Sequence, residues 1–187
     1  MDSVTILGRT MPVEYLVGAG GGALDQAALF AGLQEAAALI NSVGTWTGDE
    51  REALSAMNKI VFFSGEIVVN TWKLTRPGCD EDDAIFYWEA VEFMANTDAD
   101  VRANTFFHDC WHVIQFRRDG GFAQTDEIRV EREVDAISRQ IEAARKLGCV
   151  DREVAHLQKY LDEHVLIVAR LAEGIERMDH AQPIARA

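Results

Sequence analysis

The chain has 187 residues, 48% of them hydrophobic, and a formal net charge of −13. That length suits one domain with a real core, and the charge argues against nucleic-acid backbones and anionic membrane surfaces as partners. No window nears the ~18 continuous apolar residues of a membrane helix, and the start MDSVTILGRTMPVEYLV has no basic leader of a secretion signal.

Residues 3–17 alternate loosely through Val4, Ile6, Val13, Tyr15, Leu16 and Val17. This predicts one or two short strands or irregular structure. GAGGGALD at 18–25 is a flexible turn. DQAALFAGLQEAAALINSVG then carries Leu29, Leu33, Ala36, Ala37 and Ile40 at helical spacing and stops near Gly44. Thr47 with Glu50 three residues on is a capping box that opens a short helix. KIVFFSGEIVVNTWKL at 59–74 fits a strand pair or a continuing buried helix. RPGCDEDD at 76–83 is a loop, and AIFYWEAVEFM at 84–94 is again strand or helix. NTDAD at 96–100 supplies caps, and the helix that follows ends before Gly120-Gly121. A charged amphipathic helix runs from about Asp126 to Leu147 and ends at Gly148. Another runs from Asp151 to about Met178, with Leu157, Leu161, Val165, Val168, Leu171 and Ile175 as its stripe; the tail beyond is expected to fray. Cys79, Cys110 and Cys149 form no CxxC pair, so a reducing, cytoplasmic setting is expected. Trp46, Trp72, Trp88 and Trp111 are read as core.

Chemistry concentrates in FFHDCWHVIQF, positions 106–116. His108 and His112 are four apart, so a helix projects both imidazoles from one face. Phe106, Phe107, Val113, Ile114 and Phe116 around them point to a buried helix, and buried imidazoles need partners. A catalytic zinc takes three protein ligands and leaves a fourth position. The next helix offers Glu131, Glu133 and Asp135 as the third. Glu131 and Asp135 are themselves i, i+4 and can both face the first helix, which turns Glu133 elsewhere. One carboxylate would ligate, and the other, a turn on, would hold a ligand histidine by its far nitrogen. The plain alternative is two helices whose polar faces meet solvent or each other. Asp109 stands where H-E-x-x-H enzymes carry the glutamate that takes a proton from the attacking water. Aspartate is one methylene shorter, which sets its carboxylate roughly 1.5 Å back, and a misplacement of about 1 Å can cost on the order of a hundredfold in rate.

ANTFFHDCWHVIQF followed by VEREVDAISRQ resembles the zincin metallopeptidases of the gluzincin type. Many of these carry H-E-x-x-H with His-Val-x-Gln continuing the helix, and later Glu-x-x-x-Asp-Ala. Here His112-Val113-Ile114-Gln115 and Glu131 to Asp135-Ala136 match, over about residues 96–148. Asp109 is the departure. The resemblance implies zinc, or another divalent metal, on His108, His112 and Glu131, with Asp135 behind the ligands.

Other signals are weaker. Gly18 to Ala23 fits G-x-G-x-x-A, the dinucleotide fingerprint in form, but the pattern after the helix shows no following strand. His108-Asp109 suits the HD phosphohydrolases, which need a histidine upstream that this chain lacks. His156 and His164 lie on one face of the last helix and read as exposed or capping. Cys110 at i−2 from His112 does not face it and reads as buried. Trp111 is a weak candidate for lining a pocket beside the metal.

The expectation is an α+β, mostly helical domain of zincin-like type over residues 1–187. Residues 1–95 form the other wall of a cleft, 96–148 the metal-binding helix pair and 149–178 the C-terminal helix. Its expected function is metal-dependent hydrolysis as a zinc peptidase or amidase, with Asp109 as general base and a peptide or small amide as substrate. A peptide could add as an edge strand along residues 59–70. The alternatives are a metallopeptidase-like protein that binds or regulates without cleaving, which Asp109 favours, and a lyase or oxygenase on the same His/His/Glu set, which iron also occupies. Self-association through the apolar N-terminal half stays open.

Overall fold

The computed structural model of the chain describes residues 2–69 and 72–172. The Trp72 side chain and residues 173–187, with Ile175 and the expected end of the last helix, lie outside that description. The fold is α+β, 57% helical, around a mixed sheet.

The first residues form an antiparallel hairpin of β1 (Asp2–Ile6) and β2 (Arg9–Val17), with Ile6 opposite Arg9. Leu7 and Gly8 turn it with φ of +48° and +86°, the left-handed pair whose twist suits a two-residue hairpin loop. Leucine there is no turn signal, so the sequence leaves the hairpin unmarked. Asn41 ties the turn down: its side chain accepts from Leu7 N at 2.7 Å and donates to Thr5 O at 2.9 Å. Asn41 belongs to α1 (Gln26–Ser42), which is capped by Asp25 and buries Leu29, Leu33, Ala36, Ala37 and Ile40. Helix α2 (Gly48–Leu54) starts at the Thr47–Glu50 capping box, both of whose hydrogen bonds form.

The two ambiguous stretches resolve differently. The described part of residues 59–74 holds strands and no helix: β3 (Lys59–Ser64), then a small antiparallel pair of β4 (Ile67–Val69) and β5 (Trp72–Leu74). Strand β6 (Gly78–Asp80) falls inside the expected loop. Residues 84–94 are both things in turn, strand β7 (Ile85–Glu89) and then helix α3 (Ala90–Ala95). The main sheet runs β1-β2-β3-β7-β6, with β2, β3 and β7 mutually parallel. Val13, Ile60, Phe62, Phe86 and Trp88 join the large core under the helices. On the other face Val61, Phe63, Ile67 and Tyr87 make a smaller cluster. Strand β3 is thus buried on both faces, which removes the period-two signal that marks a half-exposed strand.

The glycine loop does join a strand to a helix, and a strand parallel to β2 follows after α2. Its glycines serve packing, however. A Cβ on Gly18 would come within 2.0 Å of Glu66 O, and one on Gly21 within 2.3 Å of Ser64 O. The close approaches they permit are to the Ser64–Glu66 backbone, which a phosphate would need for itself.

Helix α4 (Ala99–Asp119) ends at Gly120, α5 (Asp126–Leu147) starts at Thr125 and ends at Gly148, and α6 (Asp151–Ala172) follows. Gly120 and Gly148 take φ of +75° and +78°, the left-handed stop that glycine adopts without strain. Helix α4 packs on α1 and α2, α5 on α4, and α6 on α5. Helix α6 has no fully buried residue in its described length. No helix among the described residues is long and apolar enough to cross a membrane.

Candidate metal centre

The turn from α4 to α5 sets the register of the pair. Arg132 closes it, donating to Asp119 at 2.8 Å and to Gly121 O at 2.9 Å. Gln115 then lies against Arg132, whose carbonyl accepts from its Nε2 at 2.8 Å. One turn back on α4, His112 meets Glu133. Two turns further, Asn104 meets Gln140.

That register brings three donor groups together. His112 Nε2 and His108 Nε2 are 3.1 Å apart. Glu133 Oε1 is 3.3 Å from His112 Nε2, and Glu133 Oε2 is 3.6 Å from His108 Nε2. His108, His112 and Glu133 are the one group of three among the described residues able to share a metal ion. The histidine side chains are 19% and 12% exposed and Glu133 is 32% exposed, so the cluster opens to solvent on the glutamate side.

Glu133 occupies the place expected for Glu131, which is exposed and outside the group. The reason is rotational. Residues two apart on a helix point to nearly opposite sides, and the buried side of α5 is marked by Val130 and Ile137. Glu133 lies one turn from each; Glu131 does not. Asp135 likewise does not touch a histidine in the way expected. Its Oδ2 accepts from Trp111 Nε1 at 2.7 Å and from Gln115 Nε2 at 2.9 Å. It reaches His112 only through Gln115, whose Oε1 is 2.8 Å from His112 Nδ1.

That chain of contacts fixes a proton. Both Gln115 amide hydrogens are committed, to Arg132 O and to Asp135, so its oxygen faces the imidazole. An amide oxygen only accepts. His112 Nδ1 therefore carries hydrogen, and in the neutral ring Nε2 presents its lone pair to the cluster.

The site is strongly acidic. Burial pushes the Glu133 carboxyl up, but hydrogen bonds from His108 and His112 outweigh it and hold the group far below the usual carboxylate range. Burial pushes the His112 imidazole down, yet its hydrogen bond with Glu133 and the charges of Glu133, Asp109 and Glu81 raise it to about 9. Asp109 is half-buried, and desolvation lifts its carboxyl above the ordinary value against the pull of both histidines. It lies in the field of all three cluster residues and of Glu92. Glu81, on the turn after β6, feels His112, Arg132, Glu133 and Asp109, and burial lifts it too.

Spacing alone turns Glu133 away as a ligand, and it gives Gln115 and Glu81 no role at the site. The apolar row through Val130 and Ile137 would have found Glu133; nothing local marks Glu81, which a strand turn delivers. Cys110 is buried, and its thiol is pushed well up by burial and the charge of Asp109. Trp111 is buried and bonded to Asp135. His156 is exposed, and His164 Nδ1 contacts its own helix at Tyr160 O, 2.9 Å away. Neither joins the cluster. Comparison of the chain with protein-family models, with curated proteins and with solved structures gave no match.

Proposed function

We propose that the protein is a metal-dependent hydrolase of zincin-like build, acting on a peptide or small amide bond. One divalent cation, zinc by the donor chemistry, would be held by His108, His112 and Glu133. The supporting observation is the grouping of the three donors. A tetrahedral ion with zinc–nitrogen distances of about 2.0–2.1 Å sets its ligand atoms about 3.3 Å apart. Here the two Nε2 atoms are 3.1 Å apart, one Glu133 oxygen lies 3.3 Å from His112 Nε2 and the other lies 3.6 Å from His108 Nε2, so one atom from each residue falls within 4.8 Å of the others. Two imidazoles and one carboxylate are also the set that leaves a fourth position open.

Zinc in this position would supply a Lewis acid for a carbonyl oxygen and a lowered pKa for a water. The chain supplies the rest. Gln115 keeps His112 in the tautomer that ligates through Nε2. Asp109 is the proposed proton acceptor, and desolvation raises its carboxyl above the ordinary value, which makes it a stronger base. The shorter reach of Asp109 relative to glutamate favours a second reading, a protein of this build that holds the metal for binding or regulation and cleaves nothing.

Metal content of the purified protein, with melting temperature on adding zinc, tests the shared premise. About one equivalent and a raised Tm are expected. Less than about a tenth of an equivalent with an unmoved Tm would sink the centre. A peptide library then separates the readings: chelator-sensitive cleavage supports the hydrolase, and none supports the binding protein.

A further inference from the structure

We infer that Asn104 is the positioning residue of His108, accepting a hydrogen bond at its side-chain oxygen from His108 Nδ1–H. It would do for the first histidine what Gln115 does for the second. The effect on metal binding and the tautomer that puts the hydrogen on Nδ1 rest on the proposed centre; the presence of two buried, unpartnered atoms one turn apart does not.

His108 turns Nε2 toward the cluster, 3.1 Å from His112 Nε2 and 3.6 Å from Glu133 Oε2. A neutral imidazole that ligates through Nε2 carries its hydrogen on Nδ1. That Nδ1 is buried and has no partner. Ligand histidines nearly always donate this hydrogen to a carboxylate, a carbonyl oxygen or water, which fixes ring tilt and tautomer. Asn104 Oδ1 is also buried and without a partner, on a residue only 5% exposed. So a lone donor and a lone acceptor lie four residues apart on α4. At that spacing the Cβ atoms are about 5–6 Å apart, and helical side chains lean toward the N-terminus, which tips His108 back over Asn104. Gln140, across on α5, approaches the Asn104 backbone carbonyl at 3.5 Å and leaves the side-chain oxygen open. At that spacing a side-chain rotation or one bridging water would pair the two atoms. Buried polar groups left unpaired are rare because each forfeits its hydration, so two complementary ones a single helical turn apart are best explained by each other.

The test compares the whole chain with N104L, which keeps the size and removes the acceptor, and N104D, which keeps the acceptor. Q140L is the control. Zinc affinity is measured by competition, and histidine ring nitrogens are read by long-range proton–nitrogen NMR, with and without zinc. N104L should lose about 10–100-fold in zinc affinity, N104D should hold wild-type affinity within about threefold, and Q140L should change nothing. The His108 Nδ1 signal should move in N104L while that of His112 stays. Unchanged affinity in N104L, or lost affinity with no change at His108, overturns the positioning role. If N104L does not fold, N104D and N104S carry the same comparison. If the wild-type chain takes up no zinc, the metal reading has failed by itself. The pairing is then decided in the metal-free protein, where a His108 unaffected in N104L overturns it.

Discussion

Gln115 stands between Asp135 and His112, taking the carboxylate at 2.9 Å with its amide nitrogen and meeting His112 Nδ1 at 2.8 Å with its oxygen. Its second amide hydrogen goes to Arg132 O, so the oxygen has no other way to face. Replacing it should therefore release the ring without touching a ligand. Q115L is expected to weaken zinc binding by about 10–100-fold, read by competition with a chromophoric chelator. Unchanged affinity would mean that the ring is held by its packing alone.

Glu133 and Glu131 make a sharper pair of variants. E133Q removes the carboxylate that both imidazoles face, and zinc should no longer compete with a chelator of micromolar affinity. E131Q changes an exposed side chain and should leave both zinc affinity and Tm as they are. The opposite ranking would show that α5 sits in another register.

That pair also marks how far the sequence could be read. The bounds of α4 and α5 were legible because Gly120, Thr125 and Gly148 are local stop and start signals that need no tertiary context. His108 and His112 were legible because i, i+4 spacing is a property of one helix. The third member of the cluster was not, because it depends on which side of α5 meets α4. Spacing between the two acids Glu131 and Asp135 says nothing of that; the row Val130, Glu133, Ile137 does. Strand β3 hid for a related reason. Ile60, Val61, Phe62 and Phe63 are all buried, and burial on both faces erases the alternation by which strands are recognised.

Glu50 bears on stability rather than chemistry. It is 3% exposed, caps α2 at Thr47 N, and accepts from Lys146 near the end of α5. Burial pushes its carboxyl up, but the hydrogen bonds from Lys146 and Thr47 win and hold it below the ordinary value. A depressed carboxyl adds stability that is present above the ordinary carboxylate range and lost as pH falls through the depressed value. K146M leaves the carboxylate buried without its cation and should cost about 2–3 kcal/mol in urea unfolding at pH 7. Its deficit should shrink toward pH 3, where the lone carboxylate can protonate. A deficit constant with pH would refer the loss to packing of the Lys146 stem.

The charge on His112 gives zinc binding its pH dependence. Its pKa is raised from 6.5 to about 9, so in the metal-free protein the protonated ring stabilises the fold fully below about 6.5. That contribution is lost as pH rises through about 9. Zinc needs the same nitrogen unprotonated. Apparent zinc affinity should climb about tenfold per pH unit from 7 to about 9 and then level, while the Tm of the metal-free protein falls. Calorimetry in two buffers of different ionisation heat should show close to one proton released at pH 7.5. Affinity flat across this range would remove His112 from the ligand set.

Asp109 decides what the centre does once filled. Its carboxyl feels both histidines and is lifted by burial, yet it is a methylene shorter than the glutamate used by H-E-x-x-H enzymes. If it is the base, D109N should keep zinc affinity within a few-fold and lose cleavage of a peptide library by about 10²–10⁴. D109E reaches roughly 1.5 Å further and offers two distinct outcomes. Slower cleavage than the native chain means that the site is built around the shorter acid. Cleavage that appears only in D109E means that the native protein holds the metal, with aspartate at this position keeping the water from attack. A native chain and a D109E chain that both take up zinc and both cleave nothing would leave binding, not hydrolysis, as the role of His108, His112 and Glu133.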